Sequence, residues 1–197
     1  MIRVDIRARS FGSTPVLGAI RLTLGAGERV AVLGPSGAGK TTLLRIVAGI
    51  DTEFDGSVTQ PERTAMVFQD PTLLPWRSVL ENVALPNAGL PRAAAQAMLA
   101  RVGLEGKAAL FPGQLSLGQQ RRTALARAFA GTPDFLIMDE PFVSLDPAKA
   151  EEIIALTEAM LDEHRPALLF VTHSRAEARR LAHRVLTLDG VPAVLSG

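Results

Sequence analysis

The sequence predicts an α/β fold with a mainly parallel sheet, an antiparallel β layer and an inserted helical subdomain. Three observations predict it. Short apolar runs recur at 29–33, 135–138 and 167–171, and helical signals lie between them. Two segments near the start alternate apolar with polar residues instead. From about Pro71 to Ala130 the pattern is mainly helical, punctuated by prolines at 75, 86, 91 and 112.

Each element has its own justification. Val4, Ile6 and Ala8 alternate with Arg3, Asp5 and Arg7, and Ile20, Leu22 and Leu24 alternate with Arg21 and Thr23. Both read as half-exposed strands of an antiparallel layer, because side chains of a strand alternate between faces. Arg29-Val30-Ala31-Val32-Leu33 is apolar after its first residue, as a strand covered on both faces must be. Thr64-Ala65-Met66-Val67-Phe68 reads as a further strand. Pro91 opens a helix carrying Ala94, Met98 and Val102 at a four-residue spacing. Phe135-Leu136-Ile137-Met138 is a buried strand that runs into two carboxylates, Asp139 and Glu140. Asp146 as N-cap and Pro147 at the first position start a helix with Ile153, Leu156 and Met160 on one face. Ala167-Leu168-Leu169-Phe170-Val171 is another buried strand. Ser174 with Glu177 three residues on predicts a capping box that opens the next helix.

Composition narrows the function classes. The chain has 197 residues, enough for one substantial domain or a core with a small subdomain. A net charge of +1 provides no field for nucleic acid or an anionic membrane surface. The absence of cysteine excludes disulfides and thiolate metal sites and fits the cytoplasm. The strand-like start carries no signal-peptide pattern, and no apolar run approaches the roughly 18 residues of a membrane span. A membrane role must therefore go through a partner.

Gly34-Pro35-Ser36-Gly37-Ala38-Gly39-Lys40-Thr41 carries the chemistry. Gly34 and Gly39, with four residues between them and Lys40-Thr41 after them, between a strand and the helix that begins near Thr42, make a phosphate-binding loop, hence a P-loop NTPase core. Curled backbone N–H groups and the positive end of the helix receive phosphate oxygens. Lys40 supplies a point charge for the outer phosphates and the Thr41 hydroxyl can ligate magnesium. Asp139 and Glu140 end a parallel strand, at the sheet edge where the loop lies. Asp139 suits the magnesium shell and Glu140 can polarise a water that attacks the γ-phosphate.

The full motif set resembles the ATP-binding subunits of ABC transporters. It comprises the phosphate loop, Gln69, Leu115-Ser116-Leu117-Gly118-Gln119-Gln120, Asp139-Glu140, Ser144-Leu145-Asp146 and His173, in that order. The resemblance implies ATP and Mg2+ as ligands, with residues 34–42 (Gly34, Pro35, Ser36, Gly37, Ala38, Gly39, Lys40, Thr41 and Thr42) holding the nucleotide. It gives Phe11 the aromatic that stacks on adenine and Gln69 the contact to magnesium and the attacking water. Ser116, Gly118 and Gln119 match the signature segment that touches the γ-phosphate of a partner's ATP. Asp146 matches the loop that crosses between subunits, and His173 the switch histidine at the γ-phosphate. Thr41, Gln69 and Asp139 are then the metal set, and Glu140, His173 and Gln69 the catalytic one. Leu117 departs from the glycine usual in the signature and could hinder close approach of two subunits. His164 and His183 match no motif and read as surface or packing residues.

The stretch from Phe68 to Trp76 looks like that of importers in the nitrate, sulfonate and taurine group, where Leu73, Leu74 and Trp76 either form a groove for a short helix of the membrane subunit or pack the helical subdomain. The implied machine is a homodimer, peripheral on the cytoplasmic face of the inner membrane, working with permease subunits and an external solute-binding protein. The chain stops near Gly197 without an added regulatory domain, which reads as a minimal motor. A repair or ribosome-associated ATPase would need longer insertions or a basic surface. A small-molecule kinase would have no use for Ser116–Gln120 with His173. A degenerate regulator would not keep Lys40, Asp139, Glu140 and His173.

Overall fold

The structure, a computed structural model, describes residues 1–87 and 89–197. Its contacts divide the chain into two compact units. The first takes Met1–Met66, Asp134–Glu140 and Pro166–Gly197, and the second Val67–Pro133 with Pro141–Arg165. The second unit is therefore wider than the 71–130 span read as helical, because it also takes in the segment after Glu140.

In the first unit, β1 (Ile2–Phe11), β2 (Thr14–Leu17) and β3 (Ile20–Leu24) precede β4 (Arg29–Leu33) and α1 (Lys40–Val47). β5 (Asp55–Thr59) and β6 (Thr64–Val67) follow. β1 pairs antiparallel with β2, β3 and β5, and Ile2 faces Leu24 while Ile6 faces Ile20. Ile2, Val4 and Ile6 are buried with Ile20, Leu22 and Leu24, so the expected alternation holds. It fails at Ala8, which is exposed, while Arg9 turns inward. The register of β1 against β5 shifts between Ile6 and Ala8, and an extra residue reverses the facing of all that follow.

The second unit carries α2 (Val79–Ala84), α3 (Arg92–Arg101) and α4 (Leu117–Ala130), of which α2 and α4 are capped by their own side chains. Ser78 and Glu81 form a reciprocal capping box on α2, and Ser116 with Gln119 does so on α4. Pro91 caps α3, but its buried residues are Ala95, Leu99 and then Val102. The stripe read from Ala94 and Met98 is off by one residue, because Ala94 is exposed. An alanine-rich helix has too little apolar contrast to fix its rotation.

β7 (Phe135–Asp139) returns to the first unit, α5 (Pro147–His164) belongs to the second, and β8 (Ala167–Thr172), α6 (Arg175–Leu181), β9 (Arg184–Gly190) and β10 (Ala193–Ser196) complete the first. Asp146 caps α5 by accepting from the Lys149 N–H at 3.0 Å, with Pro147 at the first position as expected. Ile153 and Met160 are buried on α5, and Leu156 is partly so. The sheet runs β3-β1-β2-β10-β9-β4-β8-β7-β6, with β5 beside β1. β4 pairs parallel with both β8 and β9, and β7 parallel with β8. β7 and β8 are buried throughout, and Val30, Val32, Leu43, Ile46, Phe135, Ile137, Leu169 and Val171 share one core with the antiparallel layer. Each such side chain contributes about 1.5–3 kcal/mol by leaving water. This core fixes the sheet edge at which β4 and β7 end.

Candidate active site

The loop 34–39 joins β4 to α1, and two of its glycines are required by geometry. A Cβ on Gly34 would lie 2.6 Å from the Leu188 carbonyl oxygen. Gly39 takes φ +88, and a Cβ there would lie 2.8 Å from Leu17 Cδ2. Lys40 therefore starts α1 at a fixed place and is buried. Its ammonium donates to the carbonyls of Gly34 at 2.9 Å and Pro35 at 3.0 Å, and lies 3.2 Å from Glu140 Oε1.

β7 delivers the two carboxylates. In-register pairing sets Asp139 opposite Val171, and the Glu140 N–H donates to the Val171 carbonyl at 3.1 Å. Asp139 is buried and accepts from the Thr41 hydroxyl at 3.3 Å. Burial pushes its carboxyl above the usual range and the neighbouring Glu140 adds to this, while the Thr41 hydrogen bond and the charges of Arg45 and Lys40 oppose it. Glu140 sits at φ +41, a left-handed conformation costly for a residue with a β-carbon. That backbone turns its carboxylate between Lys40 and His173, whose Nδ1 is 3.4 Å from Glu140 Oε2. His173 is exposed at the end of β8.

Five predicted residues, Lys40, Thr41, Asp139, Glu140 and His173, thus converge within the first unit. Phe11 lies in the same unit at the end of β1, 53% exposed, with the Arg9 guanidinium carbon 4.2 Å from its ring centre. Gln69, Ser116, Gly118 and Gln119 belong to the second unit. Ser116 Oγ accepts from the Gln119 N–H at 3.4 Å and Gln119 Oε1 from the Ser116 N–H at 3.1 Å. Ser116 itself is exposed. Leu117 beside it is 42% exposed. Arg121 on the same helix donates to the carbonyls of Pro141 and Val143, so it fastens the segment that follows Glu140, and burial pushes its guanidinium down.

One reading needs adjustment. The Ser174 box is half made: Ser174 Oγ accepts from the Glu177 N–H, but the Glu177 carboxylate takes the Thr172 hydroxyl, and Thr172 Oγ1 accepts from the Ser174 N–H at 3.0 Å. His164 packs its ring on Phe129 and His183 accepts from the Arg29 N–H at 3.3 Å, so both are structural. Arg9 was missed, because strand alternation assigns it to the exposed face and only the bulge brings it in.

The residues suit a magnesium ion. A hydroxyl and a buried carboxylate are hard oxygen donors. Among the described residues no group of three histidine or acidic side chains could hold a metal by itself.

Comparison with known proteins identifies the family. The ABC transporter family profile matches residues 17–143. The aliphatic sulfonates import ATP-binding protein SsuB 2 of Streptomyces avermitilis is 47% identical over 191 residues, covering 95% of this chain and 76% of that protein. The dimeric bacterial ABC transporter cassette MJ0796 superposes with a TM-score of 0.82 at 30% identity, covering 95% of this chain and 94% of that one. Its dimeric post-hydrolysis state bound to ADP and Pi gives a TM-score of 0.79 at 31% identity over the same shares.

Proposed function

This chain belongs to the ABC transporter family as an ATP-hydrolysing subunit, and on that premise we propose that two copies close around two ATP molecules to drive solute import. One observation carries the reading. The Lys40 ammonium, the Glu140 carboxylate and the His173 imidazole form a continuous chain of short contacts next to the phosphate loop. Lys40 is freed for the outer phosphates when these replace the Gly34 and Pro35 carbonyls as its partners. Glu140 then has one oxygen for the attacking water and one near His173, which meets the γ-phosphate. Thr41 and Asp139 would hold a magnesium ion, which when bound would neutralise charge on the phosphates, and Gln69 is assigned to that ion by the family resemblance alone. The protein contributes position and charge rather than a covalent intermediate.

Ser116, Gly118 and Gln119 of one copy meet the γ-phosphate held by the other copy. The exposed Ser116 at the start of a 14-residue helix supports that assignment. Phe11 stacks on the adenine. The membrane partners are permease subunits on the cytoplasmic face, with an external solute-binding protein beyond them. Among the described residues no helix is long and apolar enough to cross a membrane. Trp76 is 69% exposed on a segment held firmly from behind. Asn82 Oδ1 accepts from the Leu74 N–H at 2.7 Å, and Arg127 donates to the carbonyls of Pro71 and Thr72 at 2.9 Å. A rigid segment that offers an exposed indole suits a permease helix. The import role of the sulfonate relatives supports import here, with aliphatic sulfonates the first solutes to assay.

The test is Glu140→Gln. The amide keeps the shape but cannot take a proton, so hydrolysis should fall at least about 100-fold while ATP still forms a dimer that persists. A variant that turns over ATP at the normal rate removes Glu140 from the mechanism.

A further inference from the structure

β1 carries a buried cation that phosphate chemistry does not use. Arg9 is 8% exposed. Its Nε donates to Asp51 Oδ2 at 2.9 Å, its Nη1 to the Ser10 carbonyl at 2.9 Å, and its Nη2 lies 3.5 Å from Glu53 Oε2. The guanidinium carbon stands 4.2 Å from the centre of the Phe11 ring. A planar cation over an aromatic face is an attractive arrangement, and more so away from water. One face of Phe11 is thereby covered, and the exposed remainder of the ring leaves the other face for a planar ligand.

Asp51 ties this arrangement to the phosphate loop. It lies just beyond α1, and its own N–H donates to the Arg45 carbonyl at 3.1 Å. The loop that grips phosphate opens the same helix. A chain of contacts therefore runs from Phe11 through Arg9 and Asp51 into α1. A ring fixed in advance loses less freedom when a base stacks on it.

We propose that Arg9 is a positioning residue for purine recognition: anchored by Asp51, it backs the Phe11 ring so that one fixed face meets the adenine of ATP. The proposal rests on the reading of Phe11 as the stacking aromatic. Arg9 touches the ring and not the nucleotide, so its removal weakens binding of the base while leaving the phosphates alone.

The experiment compares magnesium–ATP with magnesium–tripolyphosphate, by calorimetry on the full chain. Phe11→Ala should weaken ATP about tenfold and leave tripolyphosphate unchanged. Arg9→Met with Asp51→Asn removes both charges together, so no buried carboxylate is stranded. That pair should weaken ATP about threefold to tenfold, leave tripolyphosphate unchanged, and add little in the Phe11→Ala background. Arg9→Lys keeps the charge beside Asp51 but loses the planar contact, and should shift the preference in the same direction by a smaller factor. If the double variant weakens both ligands equally, or leaves ATP untouched while Phe11→Ala does not, Arg9 is a fold residue and the proposal is overturned. If Phe11→Ala itself leaves ATP binding intact, the stacking role falls and this proposal with it.

Discussion

Asp139 shows how one side chain serves the site at the expense of the fold. Its carboxyl is buried and held above its usual range, so ionisation at neutral pH opposes folding. The sign follows: a raised carboxyl pKa means the cost is present above that value and disappears as pH falls through it. Asp139→Asn removes the charge and can keep an acceptor for the Thr41 hydroxyl. We expect the variant to lose hydrolysis and its nucleotide-free melting midpoint to rise by about 2–4 °C. A drop in the midpoint would mean that Lys40 and Arg45 outweigh the burial. Legibility at this scale was uneven. Lys40, Asp139 and Glu140 could be read because each sits at a fixed offset in a motif whose backbone geometry demands it. Arg9 could not, because its inward turn depends on how β1 registers against β5, about fifty residues away in sequence.

At the scale of elements, helix starts were legible where a side chain closes on its own backbone, as at Asp146. The rotation of α3 was not, since five alanines spread through Arg92–Arg101 leave the buried face to tertiary packing. Two helices, α2 and α4, share the same box with different duties. Ser78→Ala should lower stability by about 1 kcal/mol, the usual value of an N-cap, and leave hydrolysis per folded molecule unchanged. Ser116→Ala should cost a similar amount and also abolish the ATP-driven dimer. Denaturant unfolding beside an ATPase assay distinguishes them, and equal activities in the two variants would reduce Ser116 to a cap.

The parallel core and antiparallel layer of the first unit were predicted from the period of its apolar residues, whereas the extent of the second unit was not. The segment after Glu140 joins that unit through Arg121 and α5, which no local pattern announces. For the assembled machine the decisive measurement is mass against nucleotide. Glu140→Gln should sediment as a monomer alone and as a dimer with ATP. Leu117→Gly should lower the protein concentration needed for that dimer, by removing an exposed side chain from the signature segment, although glycine there costs up to about 1 kcal/mol of helix stability. An unchanged or higher threshold would show that Leu117 belongs to the contact. The left-handed backbone of Glu140 has a longer-range consequence. Folding by itself would prefer glycine or asparagine at that position. A lineage no longer needing its transported solute would be expected to lose the glutamate early and become sturdier in doing so.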